Sequence, residues 1–290
     1  MNSNKISSTC RAWANRSFIL FVFGCLGYLG HISMATAEPQ AKLIEFWDDF
    51  EDESDMSLNH APWQEILDVY LNDQHPSGIN RFDYERVSDQ DYSKLEAYLA
   101  YLQRFDPRQF NRDEAKAYWI NLYNARVVEL VVSASKSESF DSIRELRSGM
   151  FSAGPWKREV FVVNLQSMTL DDVQHGVIRP LWKDHRTHFV LTKASLGGAN
   201  LPKTAFTRDN IEELLQIAEK QYLSHPRAVR VDGDRIILSS LFNWYADDFA
   251  EDSALFLEYL RSNVPANLVT PLSVAGGTRF EYDWDLNKPD

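Results

Sequence analysis

The chain has only two cysteines among its 290 residues, Cys10 and Cys25, and both lie in the first 37. That stretch carries Lys5, Arg11 and Arg16, then an apolar run over 18–29, then Ala35-Thr36-Ala37, which is the organisation of a secretory signal. Cleavage after Ala37 is expected, and it leaves a polypeptide without a thiol. Such a polypeptide has no cysteine nucleophile, no thiolate metal site and no disulfide. A long hydrophobic run is lacking too. An uncleaved span needs about 20 apolar residues, and Gly24, Gly27, Gly30 and His31 interrupt this one. A chain that kept its leader would be membrane-anchored, whereas the cleaved form has no stable membrane span. Phe23, beside Gly24-Cys25, speaks against a lipidated cysteine.

Positive charge is also scarce. The full chain carries −12, and losing residues 1–37 removes three cations and no anion, leaving −15. Phosphate backbones would be repelled, so no nucleic acid partner is expected. The sole glycosylation sequon, Asn15-Arg16-Ser17, falls in the leader. A mature chain without sequons or cysteines suits the bacterial periplasm.

The remaining residues form one domain over 58–290, preceded by an arm over 38–57. Seven of the eleven residues in 45–55 are acidic, with Phe46, Trp47 and Phe50 among them. This reads as a flexible, solvated arm pinned by its aromatics and carrying no chemistry. Pro62 opens a helix whose inner face is Trp63, Ile66, Leu67, Tyr70 and Leu71. Leu95, Tyr98, Leu99 and Leu102 mark a second helix. Asn111 and Glu114 form a capping pair for a third, which runs through Val132 with apolar residues on nearly every face. Asn121 and Asn124 therefore sit side by side in a dry environment. Each amide needs partners, either loop backbone or a ligand.

Residues 160–163 read as a strand, and 164–167 as a turn into a helix that ends at Pro180. On that helix Asp171, His175 and Arg179 form a stripe with spacing four, and Asp172 reaches His175 at i+3. A carboxylate beside an imidazole fixes its tautomer and raises its basicity, as a general base requires. Residues 184–192 read as another strand, and Asp247 and Asp248 are candidate partners for Arg179 or Arg186. Val229 to Val231 and Arg235 to Leu238 read as a hairpin around Asp232-Gly233-Asp234, and 279–284 as a last edge strand.

Several segments in one order carry a resemblance: 78–84, Trp119-Ile120-Asn121-Leu122-Tyr123-Asn124-Ala125, Leu170-Asp171-Asp172 through Arg179, His188 to Leu201, and 239–249. Over about 60–250 the chain resembles the bacterial domain-of-unknown-function family 547. Asn121, Asn124, His175, Arg179, Arg186 and His188 match the family pattern. Lys193 and Gly198 stand where the pattern has cysteines, and Gln174 stands where it often has Glu. The resemblance implies an exported protein and brings no settled activity. Its Cys and His beside a central helix imply a distant analogy to papain and transglutaminase-like proteins.

The expected fold is α+β and helix-rich, a single domain with a central buried helix on a mixed or antiparallel sheet. The expected site gathers Asn121, Asn124, Asp172, His175, Arg179, Arg186, His188 and Lys193, with His175 and His188 as candidate catalytic groups. Lys193 supplies a fixed positive charge for a carboxylate or phosphate. A Ser195–Lys193 pair is disfavoured because Gly197-Gly198 ends the strand between them. A zinc set from His175, His185 and His188 with Asp171, Asp172 or Asp184 is disfavoured because His185 and His188, three apart on a strand, face opposite sides. No metal and no cofactor are expected. The leading reading is a cysteine-less, non-catalytic or altered family member that binds a small molecule, peptide or envelope partner. The alternatives are a thiol-independent hydrolase or transferase using His175 or His188, and a structural envelope protein.

Overall fold

A computed structural model describes residues 40–147, 149 and 154–290. The expected leader over 1–37, with both cysteines, lies outside the described residues. Helix α1 (Ala61–Tyr70) has Pro62 in its first turn and buries Trp63, Ile66 and Leu67. The chain then makes a two-residue pairing of β1 (Leu71–Asn72) with β2 (Arg81–Phe82). Ser88 caps α2 (Asp89–Leu102) by accepting from the Asp91 amide, and Leu95, Tyr98, Leu99 and Leu102 turn inward.

Helix α3 (Arg112–Ser135) is the axis of the molecule. Asn111 caps it by accepting from the Glu114 amide at 2.9 Å, a contact worth about 1 kcal/mol. The reciprocal half of the expected capping pair is not made, because the Glu114 carboxylate accepts instead from the Leu58 amide at 2.8 Å. Every residue from Glu114 to Ala125 is buried, and so is every residue from Val127 to Val132. Apolar residues on all faces of a helix demand neighbours on all faces, and α3 has them.

Strands β3 (Glu159–Val163) and β4 (Gln166–Thr169) pair antiparallel. Asn164 and Leu165 between them both adopt left-handed backbone, with φ of 44° and 63°, as a two-residue hairpin turn requires. The expected passage from turn straight into helix is thus interrupted by a strand. The helix that follows opens as a π-helix (Asp172–Ile178) and tightens into α4 (Arg179–Trp182). It runs past Pro180, the expected stop, because the carbonyls of His175 and Gly176, which a proline at 180 leaves without its N–H, accept from Lys42 N and Ile44 N instead. It ends at Lys183, whose φ is 49°.

The N-terminal arm docks on this π-helix. Lys42 N donates to His175 O and Ile44 N to Gly176 O, both at 2.9 Å. A Cβ on Gly176 would lie 2.5 Å from Ile44 Cδ1, so the glycine makes room for the arm. Trp47, 2% exposed, packs edge-on against Trp119 at 5.1 Å. The acidic stretch is tethered by backbone hydrogen bonds as well as by its aromatic residues.

The strand expected over 184–192 is a 3-10 helix (His185–Phe189) followed by a turn. Asp184 accounts for the difference: its side chain accepts from the Arg186 amide at 3.1 Å and its carbonyl from Thr187 Oγ1 at 2.8 Å. Local capping by an aspartate outcompetes the β-propensity of the apolar residues behind it. Helix α5 (Ile211–Leu223) follows. Strands β5 (Val229–Asp232) and β6 (Arg235–Ser239) form the expected antiparallel hairpin, with Gly233 at φ 61°. Helices α6 (Ser240–Trp244), α7 (Ala246–Phe249), α8 (Ser253–Asn263) and α9 (Ala266–Val274) lead to β7 (Gly277–Glu281). This last strand pairs parallel with β6, which makes the sheet mixed. The fold is α+β, a helix-rich domain whose strands lie in small separate sheets.

Residues beyond β7 form a strap. Leu196 N donates to Asp285 O and Gly197 N to Asp283 O, each at 2.8 Å. Asn287, 2% exposed, accepts from Tyr84 OH at 2.7 Å through Oδ1 and from Phe82 N at 2.8 Å through its carbonyl. A Cβ on Gly197 would meet Asp283 N at 2.5 Å, so the strap requires glycine there. No helix among the described residues is long and apolar enough to cross a membrane.

Candidate functional site

The two asparagines of α3 are fully engaged by loops. Asn121 donates to Phe206 O at 2.7 Å and accepts from Phe206 N at 3.0 Å. Asn124 donates to Val190 O at 2.8 Å and accepts from Thr192 N at 2.9 Å. Each amide reads a backbone carbonyl and an amide on one loop, so both act as clamps that fix the 188–193 and 205–206 segments against α3. Each amide spends one N–H and one lone pair in this way.

Arg186 and Asp172 are also placed elsewhere. Arg186 forks onto Asp184 and reaches Glu212 at 2.7 Å, while Lys116 completes the Asp184 pairing at 2.8 Å. Burial pushes the Asp184 carboxyl up, but Arg186 and Lys116 outweigh it and hold it well below the carboxylate range. Asp172 accepts from Thr169 N and Thr169 Oγ1 at 2.9 and 2.8 Å, so it secures the start of the helix. It is Asp171 that approaches His175, at 3.8 Å. On a 3-10 helix His185 and His188 share a side rather than opposing one another, and both rings pack near Phe249 at 5.5 and 5.7 Å. They still part company at their polar ends, because His185 Nε2 turns to Glu219 at 2.9 Å. Among the described residues no group of three or more His, Asp or Glu is placed to hold a metal ion.

Four of the expected residues do come together. His188, from the 3-10 helix, places Nε2 2.6 Å from Asp248 Oδ2, and the proton between them belongs to the imidazole. Arg179 grips the same carboxylate in a fork, Nε to Oδ2 at 2.5 Å and Nη2 to Oδ1 at 3.0 Å. Its Nη1 donates to His175 Nδ1 at 2.9 Å, which leaves the His175 hydrogen on Nε2. The His188 ring stacks on Tyr245, 4.0 Å between centroids and 13° from parallel. Burial pushes both histidines down, His188 to about 4 against the pull of Asp248, and His175 to about 2 with help from the Lys193 and Arg179 charges. Both rings are neutral at pH 7. Burial alone would raise Asp248, but the His188 and Arg179 hydrogen bonds prevail and hold it at about 2.

Lys193 closes the group. Its Nζ lies 2.6 Å from Gln174 Oε1, 3.1 Å from Tyr123 OH and 4.5 Å from the Trp156 ring centroid. Gln174 Nε2 donates in turn to Tyr245 OH at 3.2 Å. The ammonium is half-buried, and among the described residues no carboxylate pairs with it. Between Lys193, His188, Gln174, Trp244 and Tyr282 lies an internal space of about 10 Å³, the size of a single water. Tyr282 forms part of its wall, from the C-terminal strap, with its OH 2.9 Å from Ser195 Oγ. Gly198 permits this, since a Cβ there would meet the Tyr282 hydroxyl at 2.9 Å.

Sequence reasoning singled out His175, Arg179, His188 and Lys193 and offered Asp248 as a partner. It did not single out Gln174, Tyr245 or Tyr282 as site groups. Tyr245 lies in the Leu241 to Phe249 run, where it reads as one aromatic among several. Gly198 is the readable hint, because a glycine in a buried turn implies close approach by something else.

Residues 107–223 match the family model described as Protein of unknown function, DUF547. Over these 117 of the 290 residues the chain is similar to that family. The match covers α3, the π-helix and the 188–201 loop, and stops short of Asp248 and Tyr282. No curated protein and no solved structure matches the chain. The DUF547 segment therefore brings His175, Arg179, His188 and Lys193, while the rest of the wall comes from the C-terminal part.

Proposed function

We propose that this DUF547 protein is an exported, thiol-free binding protein that holds a small anionic group, a carboxylate or phosphate, at Lys193. One observation carries the reading. Arg179, Arg186 and Lys116 each have a carboxylate partner, whereas the half-buried Lys193 ammonium rests on neutral oxygens and aromatic faces. A cation partly out of water costs free energy until an anion completes it. Export is supported by the organisation of residues 1–37 and by the acidic, cysteine-free remainder.

Titration calorimetry with acetate and with inorganic phosphate tests this reading. Binding that disappears in Lys193→Met is the expected result, and equal heats for the two proteins would overturn it. A second reading, hydrolysis without a thiol, draws support from the His188–Asp248 pair, in which a carboxylate orients a neutral imidazole as a general base. Turnover of acyl esters that survives Lys193→Met and vanishes in Asp248→Asn would favour hydrolysis over simple binding.

A further inference from the structure

The wall that carries Lys193 has a second open valence. His188 is 3% exposed and uses Nε2–H on Asp248, and its Nδ1 is buried with no hydrogen-bond partner among the described residues. A neutral imidazole donating from Nε2 presents a lone pair at Nδ1. That nitrogen accepts; it repels a carboxylate oxygen and attracts an N–H or O–H. Leaving such an acceptor buried and unmade costs about 1–3 kcal/mol. Lys193, by contrast, only donates. The cavity therefore asks for two complementary things from its occupant, an anionic acceptor for Lys193 and a hydrogen-bond donor for His188.

We infer that the cavity takes a carboxylate flanked by an N–H donor, the group presented by an N-acyl amino acid or by the C-terminal residue of a peptide. This rests on the anion reading above and specifies it. The carboxylate meets Lys193 Nζ and the neighbouring amide N–H meets His188 Nδ1, while Asp248 keeps the imidazole in the tautomer that accepts. Trp244 and Tyr245, which line the same space, supply apolar surface for the carbon skeleton. An internal volume of about 10 Å³ cannot hold such a molecule. Admission requires the Tyr282 side chain, whose OH meets Ser195 Oγ at 2.9 Å, to swing away from the wall. Tyr282 thereby sets how readily the site is entered.

The test compares acetate, N-acetylglycine and N-acetylsarcosine, which differ by the presence of the acylamino group and then by replacement of its N–H with N–CH3. Each is titrated calorimetrically into the intact protein and into Tyr282→Ala, in which the wall is opened. N-acetylglycine should bind about tenfold more tightly than either of the other two, and more tightly to Tyr282→Ala than to the unaltered protein. Nitrogen-15 spectra of the imidazoles supply a readout that a merely structural role would not move. The His188 Nδ1 resonance should shift with N-acetylglycine and stay in place with acetate. If acetate binds through Lys193 and N-acetylglycine binds no more tightly in either protein, this inference fails while the anion reading stands. If neither a carboxylate nor inorganic phosphate binds either protein, both fail.

Discussion

Two buried polar regions lie within the same DUF547 segment, and they are built on opposite terms. In the first, Asn121, Asn124 and the Asp184 network have their groups matched: amide against backbone, carboxylate against guanidinium and ammonium. In the second, around His188 and Lys193, a cation lacks an anion and an imidazole nitrogen lacks a donor among the described residues. Matched polar groups stabilise and specify a scaffold, whereas unmatched ones cost stability and are kept where something else completes them. The contrast separates what holds the loop from what the loop holds out.

Asn124 is the central clamp of the first region. Replacing it with Ala strands Val190 O and Thr192 N in the interior, and a loss of about 2–5 kcal/mol is expected from urea unfolding. A loss under about 1 kcal/mol would mean that the clamp is decorative.

Acid should distinguish the two regions. A free histidine takes a proton below about 6.5, but burial keeps His188 neutral down to about 4 and His175 to about 2. The unfolded chain thus binds more protons than the folded one between those values, so stability is whole above pH 6.5 and falls as pH drops toward 4. His60, pushed by burial to about 4, adds to the same slope. Asp184 stays ionised throughout this window because Arg186 and Lys116 hold its carboxyl well down. Hydrogen exchange at pH 4.5 should show α6 and α7, which carry Tyr245 and Asp248, opening before the start of α3. A uniform loss of protection would remove the distinction.

Lys193→Met, of similar length and without charge, should leave stability unchanged or raise it by up to about 1 kcal/mol. A drop of about 2 kcal/mol or more would assign Lys193 to the scaffold.

The helices were legible because their signals are local. Pro62 and Asn111 mark starts, and the spacing of Trp63, Ile66 and Leu67 marks an inner face. The buried amides of α3 announced themselves by standing in an apolar run. The strand expected over 184–192 failed because Asp184 spends its oxygens on a tight turn, a local competition that apolar patterning does not register. The pairing of His188 with Asp248 spans 60 positions and that of Ser195 with Tyr282 spans 87. Separations of that size leave no periodicity to read. Arg179 with Asp248 could be offered as a pair by charge, but Tyr282 carries no such mark.

The strap also governs when the molecule can be finished. Gly197 and Leu196 wait for backbone partners at positions 283 and 285, some 86 to 89 residues downstream. A ribosome that has delivered the entire DUF547 segment has still not delivered the pieces that seal its loop. Maturation of this wall is therefore a late event of synthesis. A nascent chain halted within α9 lacks the partners of Leu196 and Gly197 and leaves the Lys193 side uncovered.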